Sequence, residues 1–366
     1  MVIPSTQDSS QSDARIRVMS WPAFKNRREN PYNALLFTAL QNVGVEVKEF
    51  SVQRLLLGPH ADVLHLHWAP TSRIRGHSRR RVRRTSLELM LLLRAARLRE
   101  MKIVWTVHDI GAHDRRAHSD LEKPYWSRVA HYLDALISLS SAALDQVRER
   151  YPALTTVPAF ITRHGHYRGA YPRNIGPEEA RKRMGIGSAA NVYSFVGQMR
   201  PYKNLPVLLR AFRDLDDPEA ILLIAGMLKL DGTRAEFDEL VSADRRVKVF
   251  GGFIDDASMQ LYLEAADLVV LPYRDILNSG SAILALSFDR PVLVPAHGSM
   301  TELAEDVGTD WVLTYDGSLT TQTLERSMTA AKQKKGERAP LSRLEWSEIA
   351  LQTRDIYAAL LSEVGR

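Results

Sequence analysis

The segment 191–215, NVYSFVGQMRPYKNLPVLLRAFRDL, decides the fold. It opens on an apolar run that stops at Gly197 and closes with Leu205, Leu208, Leu209 and Phe212 at the spacing of one helix face. A strand handed directly to a helix, with no hairpin turn, is the repeating unit of a parallel sheet. The same cadence continues through AILLIAG (220–226), RVKVFGGF (246–253), SMQLYLEAA (258–266) and DLVVLP (267–272). It runs on through SGSAILALSF (279–288), RPVLVPA (290–296) and WVLTYD (311–316).

Upstream, the pattern appears a second time. IRVMSWP (16–22), VEVKEF (45–50), ADVLHLHW (61–68), KIVWTVHD (102–109) and DALISLS (134–140) read as strands. Helical spacing falls in PYNALLFTALQNVG (31–44), around Leu87–Leu98, over 124–136 and in SAALDQVRERY (141–151), the last opened by a Ser140 or Ser141 cap. The expected architecture is α/β, two Rossmann-like domains with mainly parallel sheets, divided at about 166–189 in and just after the Pro-, Gly- and charge-rich region 158–187. The expected boundaries are a polar tail at 1–13, an acceptor-side domain at 14–175, a donor-side domain at 176–345, and a terminal helix at 346–366 that packs back on the first domain.

With 366 residues and 45% apolar content, the chain can bury two cores. No run approaches the roughly 18 apolar residues of a membrane span, and the N-terminus lacks the apolar core of a signal peptide. The absence of cysteine excludes disulfides and thiolate chemistry and is compatible with a cytoplasmic setting. The net charge of +6 is uneven, with Arg73, Arg75, Arg79, Arg80, Arg81, Arg83 and Arg84 standing just before LELMLLLRAARL. Such a run is either a solvated helix face or a contact for an anionic membrane surface. Nucleic acid is not expected, since no zinc finger, RRM-like or KH-like motif accompanies the charge.

Parallel sheets bind ligands beyond the C-terminal ends of their strands, so residues just after apolar runs are the first candidates. Gly197 permits a tight strand exit, and Arg200 and Lys203 offer cations to a diphosphate. Tyr273 leads into Asn278, Ser279, Gly280 and Ser281, a polar turn that either caps a helix or presents free N–H groups to phosphate oxygens. His108, followed by Asp109, is either a donor contact or a satisfied strand-end histidine. His164 is either a donor contact or a structural loop residue; with His166 it is also spaced like a metal ligand, but completing a set with His113 or His118 would be arbitrary, so no metal is expected. Glu302 is placed to accept from sugar or ribose hydroxyls, or to serve as a helix N-terminal charge.

FVGQMRPYKNL, ILLIAG, YLEAADLVVLPYRD, SGSAILALSFDRPVLVP and GSMTEL together resemble glycosyltransferase family 4, a GT-B family of retaining enzymes, over most of 192–304. VHD and VPAFITRHGHY extend the likeness into the first half. The resemblance implies a nucleotide-sugar donor in the second domain, an acceptor in the first, and no cofactor or metal. It places Lys203 on the family's diphosphate lysine and Glu302 on the acidic residue of its late glycine loop. Gln198 stands where the family has arginine, and Arg200 lies nearby. Ile276 and Leu284 occupy the positions of two glutamates that contact sugar and ribose, so that pair of roles is not carried over. GDP-mannose is preferred over a UDP-sugar, with a glycan or lipid-linked glycan as acceptor and retention as the expected outcome. The alternatives are a noncatalytic nucleotide-sugar or glycan-binding protein and a hydrolase or epimerase on the same scaffold.

Overall fold

The computed structural model describes residues 15–74, 78–109, 119–230 and 232–362. The tail, Arg75, His113 and His118 therefore lie outside the described residues. Twelve strands form two six-stranded sheets, all of whose pairings are parallel. The first holds β1 (Arg17–Trp21), β2 (Glu46–Glu49), β3 (Val63–Leu66), β4 (Lys102–Val107), β5 (Ala135–Ser138) and β6 (Ala159–Ile161), in the order β2-β1-β3-β4-β5-β6. The second holds β7 (Val192–Val196), β8 (Ile221–Gly226), β9 (Val247–Gly251), β10 (Leu268–Val270), β11 (Val292–Pro295) and β12 (Val312–Tyr315), in the order β12-β11-β10-β7-β8-β9. This is the GT-B arrangement of two doubly wound sheets.

Both faces of the first sheet are covered, which explains its near-continuous apolar strands. Val18, Val63 and Val104 face a core shared with helices Tyr32–Asn42 and Trp346–Ser362. Their neighbours Met19, Leu64 and Ile103 face the opposite core, under helices Arg79–Leu98, Ser119–Tyr132 and Ser141–Arg150. The alternation follows the two-residue period of a strand. In the second core Trp105 stacks on Trp126 at 4.9 Å, both almost wholly buried.

Local boundaries shift for definable reasons. The long helix starts at Arg79 rather than near Leu87, because Ser78 caps it by accepting from Arg81 N at 3.3 Å. The arginine run is thus helix, and Val82 continues the buried stripe of Leu89, Leu93 and Ala96. The helix read at 124–136 spans Ser119–Tyr132. Ser140, not Ser141, caps the helix Ser141–Arg150, accepting from Ala143 N at 3.0 Å.

The chain crosses between the sheets twice, and the crossings touch. Trp346 Nε1 donates to His166 O at 2.6 Å, and His166 N to Leu344 O at 3.1 Å. A Cβ on Gly165 would lie 2.3 Å from the Trp346 ring, so glycine is required there by close approach. Asp289 then anchors the outgoing segment by pairing with Arg168 and Arg173, each at 2.6 Å. The returning helix places Tyr357 Oη 2.6 Å from His65 Nδ1 beneath the first sheet.

Candidate functional site

Each sheet has one point where successive connections run in opposite directions, and a crevice opens there beyond the strand ends. In the second sheet it lies between β7 and β10. The loops leaving those strands carry Gly197–Lys203 and Tyr273–Ser281, so the fold brings together most of the donor-side residues read from sequence. Gly197 has φ +140°, and a Cβ on it would stand 2.9 Å from Ser281 Oγ. That contact lets the β7 loop and the 278–281 turn close on one another.

Lys203 stacks over Tyr273, with Nζ 3.8 Å from the ring centroid. No carboxylate pairs with it among the described ion pairs, and burial pulls its pKa below the usual lysine range. A desolvated cation resting on an aromatic face gains most from an incoming anion. Arg200 bonds Gln198 Oε1 through Nε at 3.0 Å and flanks the same loop.

The turn caps the helix that follows it. Ser279 Oγ accepts from Ala282 N at 3.1 Å, capping the helix Gly280–Ser287, and lies 3.1 Å from Tyr273 Oη. One cap satisfies one of the four unpaired N–H groups of a helix start, and the remaining positive end still faces the crevice. Asn278 reaches across to the first sheet, its Nδ2 3.5 Å from Val107 O, directly before His108.

His108 belongs to a packed set of rings. It stacks on Trp68 at 4.3 Å, meets Tyr32 edge-on at 4.8 Å, and its Nε2 is 2.8 Å from His67 Nδ1. His67 is fully buried and its Nε2 has no partner. An unpaired lone pair is a smaller loss than an unpaired N–H, which assigns the His67 proton to Nδ1, donating to His108. His108 then carries its own proton on Nδ1. Burial, together with neighbouring histidines, holds both rings well below the ordinary histidine pKa and so neutral. In this tautomer His108 is neutral and its Nε2 is occupied by His67, leaving Nδ1–H as its free donor.

The remaining two residues, Glu302 and His164, line one small cavity together with Asn278 and Ser279. Glu302 closes the two halves: its carboxylate accepts from Ser141 N at 3.0 Å, Ala142 N at 2.7 Å and Arg163 Nη1 at 2.8 Å. Burial alone would raise its pKa, but these donors hold it below the usual carboxylate value. His164 packs edge-on against Tyr32 at 4.7 Å with Nδ1 on Gly165 O, and burial depresses it to about 4. Among the described residues no group of histidines and carboxylates could hold a metal. Sequence reading missed His67, Trp68, Tyr32 and Arg163. The alternation Val63, His65, His67 was the visible signal for the first of these, since it puts both histidines on one buried face.

Residues 190–327 match the family model described as "Glycosyl transferases group 1". A GDP-mannose:glycolipid 4-beta-D-mannosyltransferase of Xanthomonas campestris pv. campestris is 30% identical over 358 residues, covering 96% of this chain and 94% of the relative. A second protein of that description is 29% identical over the same share. Among solved structures, a sucrose-phosphate synthase from Thermosynechococcus elongatus superposes with TM-score 0.67 at 15% identity, over 95% of this chain and all (100%) of the other. Anabaena HepE in complex with UDP and glucose superposes at 0.65 with 14% identity, over 94% and 100%.

Proposed function

From the premise that the chain belongs to the nucleotide-sugar-dependent glycosyltransferases of GT-B fold, in the group 1, family 4-like branch, we propose that it transfers mannose from GDP-mannose to a lipid-linked glycan in polysaccharide biosynthesis. The single observation that carries the donor side is Lys203, a cation with no carboxylate partner among the described ion pairs, laid on Tyr273 beside the positive end of the helix Gly280–Ser287. These groups are positioned for a diphosphate, whose negative charge grows as the sugar leaves. Arg200 adds a second cation, and Asn278, Ser279 and Ser281 supply polar contacts where Ile276 and Leu284 cannot. The preference for GDP over UDP rests on the activities named for the two relatives.

Stereochemistry is read in the same way. GDP-mannose is α-linked, and the relatives' names specify a β product, so we favour inversion over the retention that the family resemblance implies. The absent glutamate pair at Ile276 and Leu284 is consistent with a departure from the family's usual donor handling.

The lipid side of the acceptor has a matching surface. Arg80, Arg84, Leu87, Leu91, Arg94 and Leu98 form one exposed stripe along the helix Arg79–Leu98, and Leu56 and Leu57 of the helix Val52–Leu57 stand exposed nearby. Leucines at 54–83% exposure, interleaved with arginines, suit the interface of an anionic bilayer. Among the described residues no helix is long and apolar enough to cross one.

The deciding experiment offers GDP- and UDP-sugars with lipid-linked and soluble glycans and reads products by mass spectrometry. A gain of one hexose from GDP-mannose supports the reading, and the one-bond C1–H1 coupling of the product fixes its anomer. Donor binding with no gain on any acceptor favours the noncatalytic alternative. Sedimentation with anionic vesicles, lost at high salt and in Leu87→Asp/Leu91→Asp, tests the membrane contact.

A further inference from the structure

The second crevice of the molecule is unassigned. In the first sheet the connections reverse between β1 and β3, and a cleft of about 440 Å³ lies at that point. It is lined by Trp21 from the end of β1, Trp68 just after β3, and Asn26, Glu29 and Arg73 from the segments that follow. Gln198, from the Gly197–Lys203 loop across the molecule, lines it too, so the cleft opens onto the donor side. Trp68 also stacks on His108, which puts the cleft one ring's thickness from that donor.

Resting on the transfer reading above, we infer that this cleft is the acceptor subsite, with Trp68 as the stacking floor for an anionic glycan and Glu29 as the group that takes the acceptor proton. An indole face suits the apolar C–H face of a pyranose ring. Trp21 is less available, being stacked on Phe50 at 4.2 Å and overlain by the Arg73 guanidinium at 5.1 Å. Arg73 supplies the positive charge. Its one described carboxylate, Glu88, is 3.4 Å away at the surface and gives it only weak compensation. The anion it meets is either a carboxylate on the acceptor sugar or the diphosphate of a lipid carrier.

Inverting displacement needs a proton acceptor on the acceptor's side of the anomeric carbon. Lys203 is a cation, His108 presents N–H, and Glu302 is fully engaged between the two halves. Glu29 is the one carboxylate lining the cleft, and no described hydrogen bond or ion pair uses its side chain. Its loop is held ready: Glu49 accepts from Ala23, Phe24 and Lys25 N–H at 3.2, 2.8 and 3.1 Å, and Asn33 Nδ2 donates to Pro22 O at 2.6 Å. In the step, the acceptor oxygen bonds to the anomeric carbon as the bond from that carbon to the diphosphate oxygen breaks. The electron pair leaves on the diphosphate beside Lys203, and the hydroxyl proton passes to Glu29.

The test uses the full chain, calorimetry with GDP-mannose, and saturation-transfer NMR with three probes: a neutral disaccharide, its carboxylated counterpart, and a disaccharide on a short polyprenyl diphosphate. Trp68→Ala is expected to weaken glycan binding at least tenfold with GDP-mannose affinity within twofold, and Trp68→Phe to recover most of it. Arg73→Gln should weaken only the carboxylated probe if the anion is on the sugar, or only the diphosphate probe if it is on the carrier. Loss for neither overturns the anionic assignment. Glu29→Gln should keep both affinities while turnover falls by about 100-fold or more. Unchanged glycan binding in Trp68→Ala overturns the subsite, and undiminished turnover in Glu29→Gln overturns the base. If GDP-mannose itself does not bind, the transfer reading fails, whereas Trp68-dependent glycan binding still reads the subsite directly.

Discussion

The two crevices occupy equivalent places in two equivalent sheets and are built of opposite materials. At β7–β10 the lining is small and polar, with Gly197, Ser279, Gly280 and Ser281 around a single ammonium. At β1–β3 it is aromatic, with Trp21 and Trp68 backed by His67 and His108. Diphosphate recognition needs backbone N–H groups and close approach, which only small residues allow, whereas a sugar ring is held by flat apolar area. The same topology thus supports two binding chemistries through the residues set at its strand ends.

The largest expected effect breaks the donor side alone. Lys203→Ala should lower kcat/KM by about 10²–10³, the range seen when one charge-stabilising donor is removed, while saturation-transfer signals from glycan probes stay unchanged. Arg200→Ala should cost less, and a Lys203→Ala enzyme with normal transfer kinetics would refute the diphosphate seat. Next comes Gly197→Ala. The added methyl meets Ser281 Oγ at 2.9 Å with the backbone at φ +140°, a strain on the order of 1–3 kcal/mol. GDP-mannose affinity in calorimetry should weaken by about tenfold, with the glycan side again untouched.

A subtler change sharpens the aromatic side. His67→Phe keeps an aromatic ring, though a larger one, but removes the N–H that fixes the His108 tautomer. Histidine ¹⁵N shifts should report Nδ1–H for His108 in the parent chain and a shift toward Nε2–H in the variant. Turnover should fall by less than about tenfold, a single neutral hydrogen bond being worth about 1 kcal/mol. Parent spectra showing Nε2–H would reverse the assignment and return His108 to the role of proton acceptor.

What could be read from sequence also divides between the crevices. The donor side was legible because its residues are contiguous: Gly197 to Lys203 and Tyr273 to Ser281 each follow their strand directly. The acceptor side is assembled from Trp21, Glu29, Trp68 and Arg73, separate short segments that only the strand order β2-β1-β3 brings together. Helix capping at Ser78 and the role of Glu302 between the halves escaped for different reasons. One depends on a single local hydrogen bond inside a basic run, the other on partners 160 and 161 residues away. The pattern of alternating strands and helices is local and largely survived, but the short strand β6 and short helices such as Val52–Leu57 and Pro177–Arg183 were not read from it.

The mildest perturbation, acid, should separate the two halves without any substitution. In the first half His65 and His67 are buried and His108 half-buried, and all three are held neutral, with His65 depressed to about 3 by burial. The unfolded chain binds protons at these sites from about pH 6.5 downward while the native chain does not. Stability is therefore complete above pH 6.5 and declines below it, on the order of 1.4 kcal/mol per pH unit for each such histidine. In the second half the clearly shifted acids are carboxylates such as Asp244 and Asp289. Burial works against them, but arginine hydrogen bonds hold their pKa low. Their stabilisation persists until the pH falls below the unfolded carboxylate range near 4. Between pH 6.5 and 4 the aromatic half should loosen first. With 5-fluorotryptophan, the ¹⁹F signals of Trp105 and Trp126, in the first half's core, should broaden at a higher pH than that of Trp311 in the second. Simultaneous loss would mean that the clamp of Glu302 and the Gly165–Trp346 crossing bind the halves into one cooperative unit.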